Sequence, residues 1–282
     1  MPAAATTELE RLLDDDVPHG DLTTELLGIG GEAGVMAFTA RDPMVLALAE
    51  DAAAILRLCG CEVELLAATG TKLAPGAPIL IARGAASGLL RGWKVAQTLI
   101  EIWSGVATAT REIVEAARAV SPGIAIACTR KNTPGTKRFA VAAVKAGGAG
   151  MHRLGLSETI LVFAEHRGFL DEPAAATVAR LRAAAPEKKL VTEVSTIDAA
   201  LAAAAAGYDV LQLEKFAPAD VATLVARLAE TPLRPVIAAA GGVNASNAAA
   251  YAAAGAQVLV TSAPYMAKPR DVQVRIRRAT TK

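Results

Sequence analysis

Apolar residues along this chain fall into short runs separated by Ala-rich stretches, and a change in their rhythm divides the sequence in two. In the first hundred residues the pattern is mixed. Glu8–Leu13 predicts a short helix, Val35–Thr39 a strand, Leu46–Cys59 an amphipathic helix, and Glu62–Ala67 and Ile79–Ala82 two further strands. Gly70-Thr71-Lys72 and Pro75-Gly76, between the last two, are turn material. Two helices follow, Ser87–Trp103 and Val106–Val120. They are parted at Ser104-Gly105, and Ser121-Pro122-Gly123 stops the second.

After residue 120 the spacing becomes regular. Short β-branched or Leu-rich runs stand at Ile124–Ala127, Ile160–Phe163, Leu190–Val194, Val210–Leu213, Val236–Ala238 and Val258–Val260. Helical stretches lie between most of them: Phe139–Lys145, Ala174–Ala184, Ile197–Ala206, Ala219–Leu228 and Ala245–Ala254. Alternating strand and helix predicts a parallel sheet covered by its crossovers. Six repeats, with a seventh strand expected after Thr261, favour a barrel. An open doubly wound sheet remains the alternative on pattern alone, although no GxGxxG follows the first strand.

Composition narrows the function classes. Hydrophobic residues are 53% of the 282-residue chain, enough to bury a large core and to exclude intrinsic disorder. Lys plus Arg is 29 and Asp plus Glu is 28, so no global field draws the chain to nucleic acid or to an acidic membrane. Aromatics are only 4%, too few for a base-stacking platform. Cys59, Cys61 and Cys128 form neither an even disulfide framework nor a CxxC pair, and read as small buried hydrophobes of a reducing, cytoplasmic setting. Met1–Arg11 has no apolar signal region. The uncharged stretch Pro235–Ala267 is interrupted by Gly241-Gly242, Asn244, Ser246, Asn247 and Gly255, so it reads as strand, turn, helix and strand rather than a membrane span.

In a barrel the chemistry collects where the strands end. Thr129-Arg130-Lys131-Asn132-Thr133-Pro134-Gly135-Thr136-Lys137-Arg138 follows the first run, placing four cations within nine residues. His152-Arg153 precedes the second run, behind the flexible Gly147-Gly148-Ala149-Gly150. Glu193 and Glu214 mark the third and fourth runs, and Gly241-Gly242 follows the fifth, entering a helix at about Asn244. Taken singly each has a plain explanation: a solvated basic loop, a structural His, a tight turn. Their common location on one predicted face points instead to a phosphorylated substrate, with a divalent ion between its oxygens and the acids.

Several of these segments together resemble the quinolinate phosphoribosyltransferase family: Thr129-Arg130-Lys131-x-Thr133-Pro134-Gly135, Gly147-Gly148, and His152-Arg153-x-Gly155-Leu156. Gly20-Asp21-Leu22-Thr23-Thr24, Gly92-Trp93-Lys94-Val95-Ala96-Gln97, Ser104-Gly105-Val106-Ala107-Thr108 and Ser157–Phe163 extend the likeness over most of the chain. Within the family the chain is most similar to the ModD subgroup, described as a pyrophosphorylase associated with molybdenum-transport genes. The resemblance implies an α/β protein with an N-terminal open-faced α/β sandwich domain (1–104, with the tail 270–282 packing on it). It implies an incomplete, about seven-stranded α/β barrel (105–269) as the catalytic domain. It further implies a homodimer, Mg²⁺, and transfer of phosphoribose from phosphoribosyl pyrophosphate to the nitrogen of a small aromatic ring. By position, Arg130, Lys131, His152 and Arg153 match the cationic substrate pocket, with Lys131 among the catalytic residues. Glu193 and Glu214 match carboxylates near the ribose and metal, Gly241 and Gly242 the phosphate-holding turn, and Lys94 an arginine contributed across the dimer.

The departures fall on the acceptor side. Where the family has Lys-Asp-Asn-His, this chain has Phe163-Ala164-Glu165-His166. Its Glu-Ser-Ser-Gly-Gly becomes Ala238-Ala239-Ala240-Gly241-Gly242, its Asp-Asn becomes Glu214-Lys215, and its Glu-Arg becomes Trp93-Lys94. An acceptor other than quinolinate is therefore expected. Two alternatives stand beside the transferase: a non-catalytic oxyanion or metabolite binder linked to molybdenum uptake, and an aldolase-like barrel using Lys131 as a Schiff base.

Overall fold

The computed structural model describes residues 6–279. Met1–Ala5, and residues 280–282 of the tail expected to join the first domain, lie outside the described residues. Two compact units are present. One comprises Met1–Arg111, Pro134–Gly148 and Met266–Lys282, the other Glu112–Thr133 and Ala149–Tyr265. Neither is continuous in sequence.

The first unit begins with helices α1 (Thr6–Asp16) and α2 (Leu22–Leu26), the latter capped by the Asp21 carboxylate, which accepts from the Thr23 and Thr24 N–H groups. Then come β1 (Ala33–Ala40), β2 (Met44–Val45), α3 (Ala49–Leu58), β3 (Glu62–Leu65), β4 (Lys72–Leu73), β5 (Pro78–Ala85) and the long helix α4 (Ala86–Arg118). The first unit's larger sheet has the order β13-β1-β5-β3, where β13 is the late strand Val272–Arg278, and β2 pairs with β4 separately; all these pairings are antiparallel. On β1 the even positions Gly34, Met36, Phe38 and Ala40 are buried, the alternation of a sheet with one covered face.

Two expectations change in this unit. The helices predicted to part at Ser104-Gly105 are one continuous helix of 33 residues. Gly105 is there for closeness: a Cβ would lie 2.3 Å from the Lys268 carbonyl oxygen, so the passing chain requires a bare backbone. Ser104 is equally occupied, its Oγ accepting from the Ala47 N–H at 3.0 Å. No element is predicted for the tail, which contributes β13.

The second unit holds a seven-stranded sheet built from β6 (Ala125–Cys128), β7 (Gly150–Met151), β8 (Ile160–Val162), β9 (Leu190–Val194), β10 (Val210–Glu214), β11 (Val236–Ala240) and β12 (Val258–Thr261). Helix α5 (Lys137–Ala146), between β6 and β7 in sequence, belongs to the first unit. The others in this stretch are α6 (Ala164–Arg167), α7 (Ala174–Ala184), α8 (Ile197–Ala206), α9 (Pro218–Ala229) and α10 (Ala248–Ala253). The sheet order is β7-β6-β12-β11-β10-β9-β8 with every pairing parallel, so the sheet curls toward a barrel with β7 and β8 as its two edges. The open-sheet alternative falls away, and the incomplete seven-stranded α/β barrel is the observed fold. The seventh strand differs from expectation. It is β7, two residues long before His152, while the residues after Thr261 form a 3₁₀ turn, Ala263–Met266.

Helices α8 and α9 show local rules at work. Thr196 Oγ1 caps α8 by accepting from the Ala199 N–H, Gly207 closes it in a left-handed conformation, and Pro218 opens α9. Inside the sheet, Ala238, Ala240 and Val260 form an apolar cluster against Val210 and Val258. Cys59, Cys61 and Cys128 are free thiols; burial, with Cys59 adding to it, pushes Cys61 up to about 11, and burial pushes Cys128 up to about 12, as inert packing residues require. Among the described residues no helix is long and apolar enough to cross a membrane.

Gly105→Ala should therefore lower stability by about 1–3 kcal/mol despite alanine's better helix propensity, because the Lys268 backbone cannot yield. Gly123→Ala, which meets nothing within 4 Å, should stay within about 0.5 kcal/mol of the parent. Urea midpoints of the two variants check this; equal midpoints would show that the close approach is unimportant.

Candidate active site

The ends of the parallel strands surround one cavity of about 1120 Å³, larger than the ~300–1,000 Å³ of an ordinary ligand pocket and able to take two substrates together. Every residue that lines it belongs to the second unit. Strand alternation explains the lining. Residues two apart share a face, so Gln212 and Glu214 of β10 stand beside Glu193 of β9 and Ala240 of β11, with Gln212 in register with Glu193 and Glu214 with Ala240.

Nine of the ten residues singled out in the sequence meet here: Arg130, Lys131, His152, Arg153, Phe163, Glu193, Glu214, Gly241 and Gly242. Lys94 is not among the lining residues. It lies exposed on α4, where its Nζ donates to Gln97 Oε1 at 2.9 Å and sits 5.0 Å from the centre of the Trp93 ring. The loop after β6 carries Arg130 and Lys131. It is anchored by the Thr129 N–H, which donates to the Thr261 carbonyl at 2.9 Å, and by Tyr265 Oη, which donates to the Thr129 carbonyl at 2.8 Å. The His152 N–H donates to the Cys128 carbonyl at 2.8 Å, fixing the next loop in turn.

The charges perturb one another. Burial and then Arg130 lower the Arg153 guanidinium below its ordinary value. Burial, with the Arg153 charge beside it, also holds His152 below its usual imidazole range, so its charged form is disfavoured here. On the opposite wall burial pushes the Glu193 carboxyl up. A hydrogen bond from Gln212 Nε2 at 2.6 Å works against this, while the charges of Glu214 and Glu165 add to it. A carboxyl whose ionisation is opposed by a neighbouring carboxylate suits a shared cation. Mg²⁺ binds through one or two carboxylates completed by phosphate oxygens. Glu193 and Glu214 fit that donor set, whereas no cluster of three or more ligating side chains occurs among the described residues.

Phe163 closes one side. Its ring stacks on His166 with centroids 5.8 Å apart and planes 20° apart, and the Arg153 guanidinium lies 5.7 Å from its centre. His166 is held in place because its Nδ1 accepts from the Phe163 N–H at 3.0 Å.

The Gly-Gly turn differs from expectation. The helix after it begins at Ala248, not Asn244, and has only six residues. Asn244, Ser246 and Asn247 instead bond among themselves: the Asn244 N–H donates to Asn247 Oδ1 at 2.8 Å, and both asparagine Nδ2 groups donate to the Gly242 carbonyl. Both glycines have left-handed backbone, φ +80° and +102°, and a Cβ on Gly241 would lie 2.7 Å from the Lys215 nitrogen. Lys215 itself is left-handed at φ +59° and donates its N–H to the Ala240 carbonyl. The lining also includes Gln212, Glu165, Leu161 and Asn244, which were not singled out in the sequence. Gln212 carried a readable signal, standing two residues before Glu214 on one strand.

An α/β barrel with cations and carboxylates gathered at the ends of its strands is the arrangement of an enzyme that handles a phosphorylated substrate, and the comparisons give its class as phosphoribosyltransferase. The sequence models "Quinolinate phosphoribosyl transferase, N-terminal domain" and "Quinolinate phosphoribosyl transferase, C-terminal domain" match residues 21–104 and 106–275. The chain belongs to the quinolinate phosphoribosyltransferase family. It is 51% identical over 244 residues to the ModD protein of Rhodobacter capsulatus, named after a pyrophosphorylase activity, covering 86% of this chain and 94% of that one. It is 31% identical over 265 residues to the nicotinate-nucleotide pyrophosphorylase (carboxylating) of Mycobacterium leprae, covering 92% of each. The nicotinate-nucleotide pyrophosphorylase structure from Francisella tularensis superposes with a TM-score of 0.88 at 22% identity, over 97% of this chain and 98% of that one, and shows the shared fold.

The raised Glu193 carboxyl has a stability consequence with a definite sign. A group whose folded pKa lies above its unfolded value stabilises the folded state when protonated, and that contribution is lost as pH rises through the folded value. Glu193→Gln should thus be at least as stable as the parent at pH 7, with the difference shrinking as pH falls through the raised carboxyl range. Thermal midpoints of both proteins between pH 4 and 8 check this; a parent that gains on the variant as pH rises would contradict it.

Proposed function

We propose that this protein transfers phosphoribose from phosphoribosyl pyrophosphate to the ring nitrogen of a small aromatic acceptor other than quinolinate, releasing pyrophosphate, with Mg²⁺. The observation that carries this reading is the shared cavity: Arg130, Lys131 and Arg153 line the same space as Glu193 and Glu214.

Breaking the bond from the sugar C1 to pyrophosphate develops positive charge on the ribose and negative charge on the leaving group. Arg130 and Lys131 are placed to hold the departing phosphates, and fixed cations cost no reorganisation at the moment of bond breaking. Glu193 and Glu214 face the oxocarbenium-like sugar with their negative charge. When bound between these carboxylates and the phosphates, Mg²⁺ supplies further neutralisation of the leaving group. An aromatic ring nitrogen attacks with its own lone pair, so no strong general base is required.

The acceptor follows from Phe163. A lysine there in the family helps hold two ring carboxylates; a phenyl face backed by His166 and crossed by Arg153 suits a flat ring with one negative charge or none. The family's acid and hydroxyls are replaced by Ala238–Ala240, of which Ala240 lines the cavity without a polar group. A second copy of the chain is proposed to complete the enzyme as a homodimer, with the exposed Lys94 offered to its neighbour.

Pyrophosphate release with phosphoribosyl pyrophosphate, Mg²⁺ and a panel of ring acceptors tests the proposal. Turnover is expected with a monocarboxylate or neutral ring, and not with quinolinate. Phe163→Lys should raise kcat/KM for quinolinate by roughly tenfold or more, the worth of one charge-assisted contact. Arg130→Ala should raise KM for phosphoribosyl pyrophosphate by a similar factor. Ordinary quinolinate turnover by the parent would overturn the acceptor assignment. Tight anion binding with no pyrophosphate released to any ring would point to the non-catalytic binder.

A further inference from the structure

The inner face of the barrel carries one polar side chain whose hydrogen bonding is unfinished. Gln212, in the middle of β10, is 5% exposed and lines the cavity. Its Nε2 donates to Glu193 Oε2 at 2.6 Å. This contact fixes which way the amide faces, since an ionised carboxylate only accepts and the amide oxygen would repel it. Gln212 Oε1 is consequently turned elsewhere. It is buried and finds no hydrogen-bond partner.

The surroundings do not supply one. The register neighbour on β11 is Ala238, and the adjoining inward positions are Ala240 and Val260, none of which has a side-chain donor. An acceptor desolvated and left unmet costs about as much as a hydrogen bond contributes, and Leu or Met at this position would avoid that cost. The oxygen is therefore placed for a donor that arrives with the substrate.

On the phosphoribosyl-transfer reading, on which this inference rests, three chemical parts enter the cavity. The polyphosphate offers acceptors only. The attacking ring offers a lone pair. Only the pentose brings several O–H donors to one place. Gln212 Oε1 stands on the wall that carries Glu193 and Glu214, so three acceptor groups line the same stretch of it. We propose that Gln212 is a specificity-determining residue for the sugar. One pentose hydroxyl donates to its Oε1, while its Nε2 holds the Glu193 carboxylate in position for the neighbouring hydroxyl.

Calorimetric affinities for phosphoribosyl pyrophosphate and its 2-deoxy and 3-deoxy analogues, measured with Mg²⁺ on the parent and on Gln212→Met, test the assignment. Met fills nearly the same volume without either polar atom. The parent should prefer the natural donor to one of the deoxy analogues by about tenfold or more. In Gln212→Met that same preference should fall to about twofold or less, because nothing is left unpaired, while the preference set by Glu193 against the other analogue should weaken less, its carboxylate still present but no longer held by Nε2.

A parent that binds phosphoribosyl pyrophosphate but discriminates against neither analogue overturns the inference, whether or not the variant folds. So does a preference that survives unchanged in a folded variant, as it would if buried water satisfied the amide. A variant that raises KM for the ring acceptor and leaves the sugar untouched overturns it too, since the donor would then sit on the ring. Failure of the parent to bind phosphoribosyl pyrophosphate at all is a different result, and removes the proposed function itself.

Discussion

Strands of a parallel sheet all end at one edge, and that constraint decides where this protein can do chemistry. Each crossover returns the chain to the far side before the next strand, so each strand delivers its last residues to a common rim. The basic loop after β6, the His152-Arg153 pair after β7, Phe163 after β8 and the Gly-Gly turn after β11 come from segments spread over more than a hundred residues. They line one cavity because their strands belong to one parallel sheet that curls toward a barrel, with β7 and β8 at its two edges. Alternation along each strand then selects which side chains look inward, and here those are Glu193, Gln212, Glu214 and the small Ala240. The alanines matter as absences of volume. A parallel barrel normally fills its interior with branched side chains, whereas this one keeps an open cleft next to its acids.

The cavity divides electrostatically into a cationic rim and an acidic wall, and each half is uncomfortable by itself. Arg130 disfavours the charge on Arg153, Arg153 disfavours charge on His152, and Glu214 disfavours ionisation of Glu193. Such mutual opposition marks functional sites more often than structural ion pairs, where opposite charges satisfy each other. Of the positions that depart from the family pattern, Phe163 and Ala240 line this cavity together with the charged groups.

Much of this was legible in the sequence, for identifiable reasons. Buried parallel strands are near-continuous apolar runs, so six of the seven strands stood out, and the cationic segments could be placed because they directly follow or precede such runs. The seventh, Gly150–Met151, is two residues long and lacks any periodicity to detect. Glycine misled at Gly105, where a residue that usually interrupts a helix is instead a point of close backbone passage. The Asn244–Asn247 cluster looked like a helix cap, yet its side chains close a turn on themselves and the helix starts later. Gln212 was missed because a single polar residue within an apolar strand gives no hint of whether its bonds are complete; only the coordinates of Glu193 beside it do that.

The lowered proton affinity of His152 carries an implication for thermodynamics. Its imidazole is suppressed by burial and by a neighbouring guanidinium, and an arriving polyanion would offset both influences at once. Ligation would then be coupled to capture of a proton from solvent, and the observed heat would contain the ionisation enthalpy of whichever buffer surrendered it. The protein would behave as a weak base that is unmasked by its own substrate.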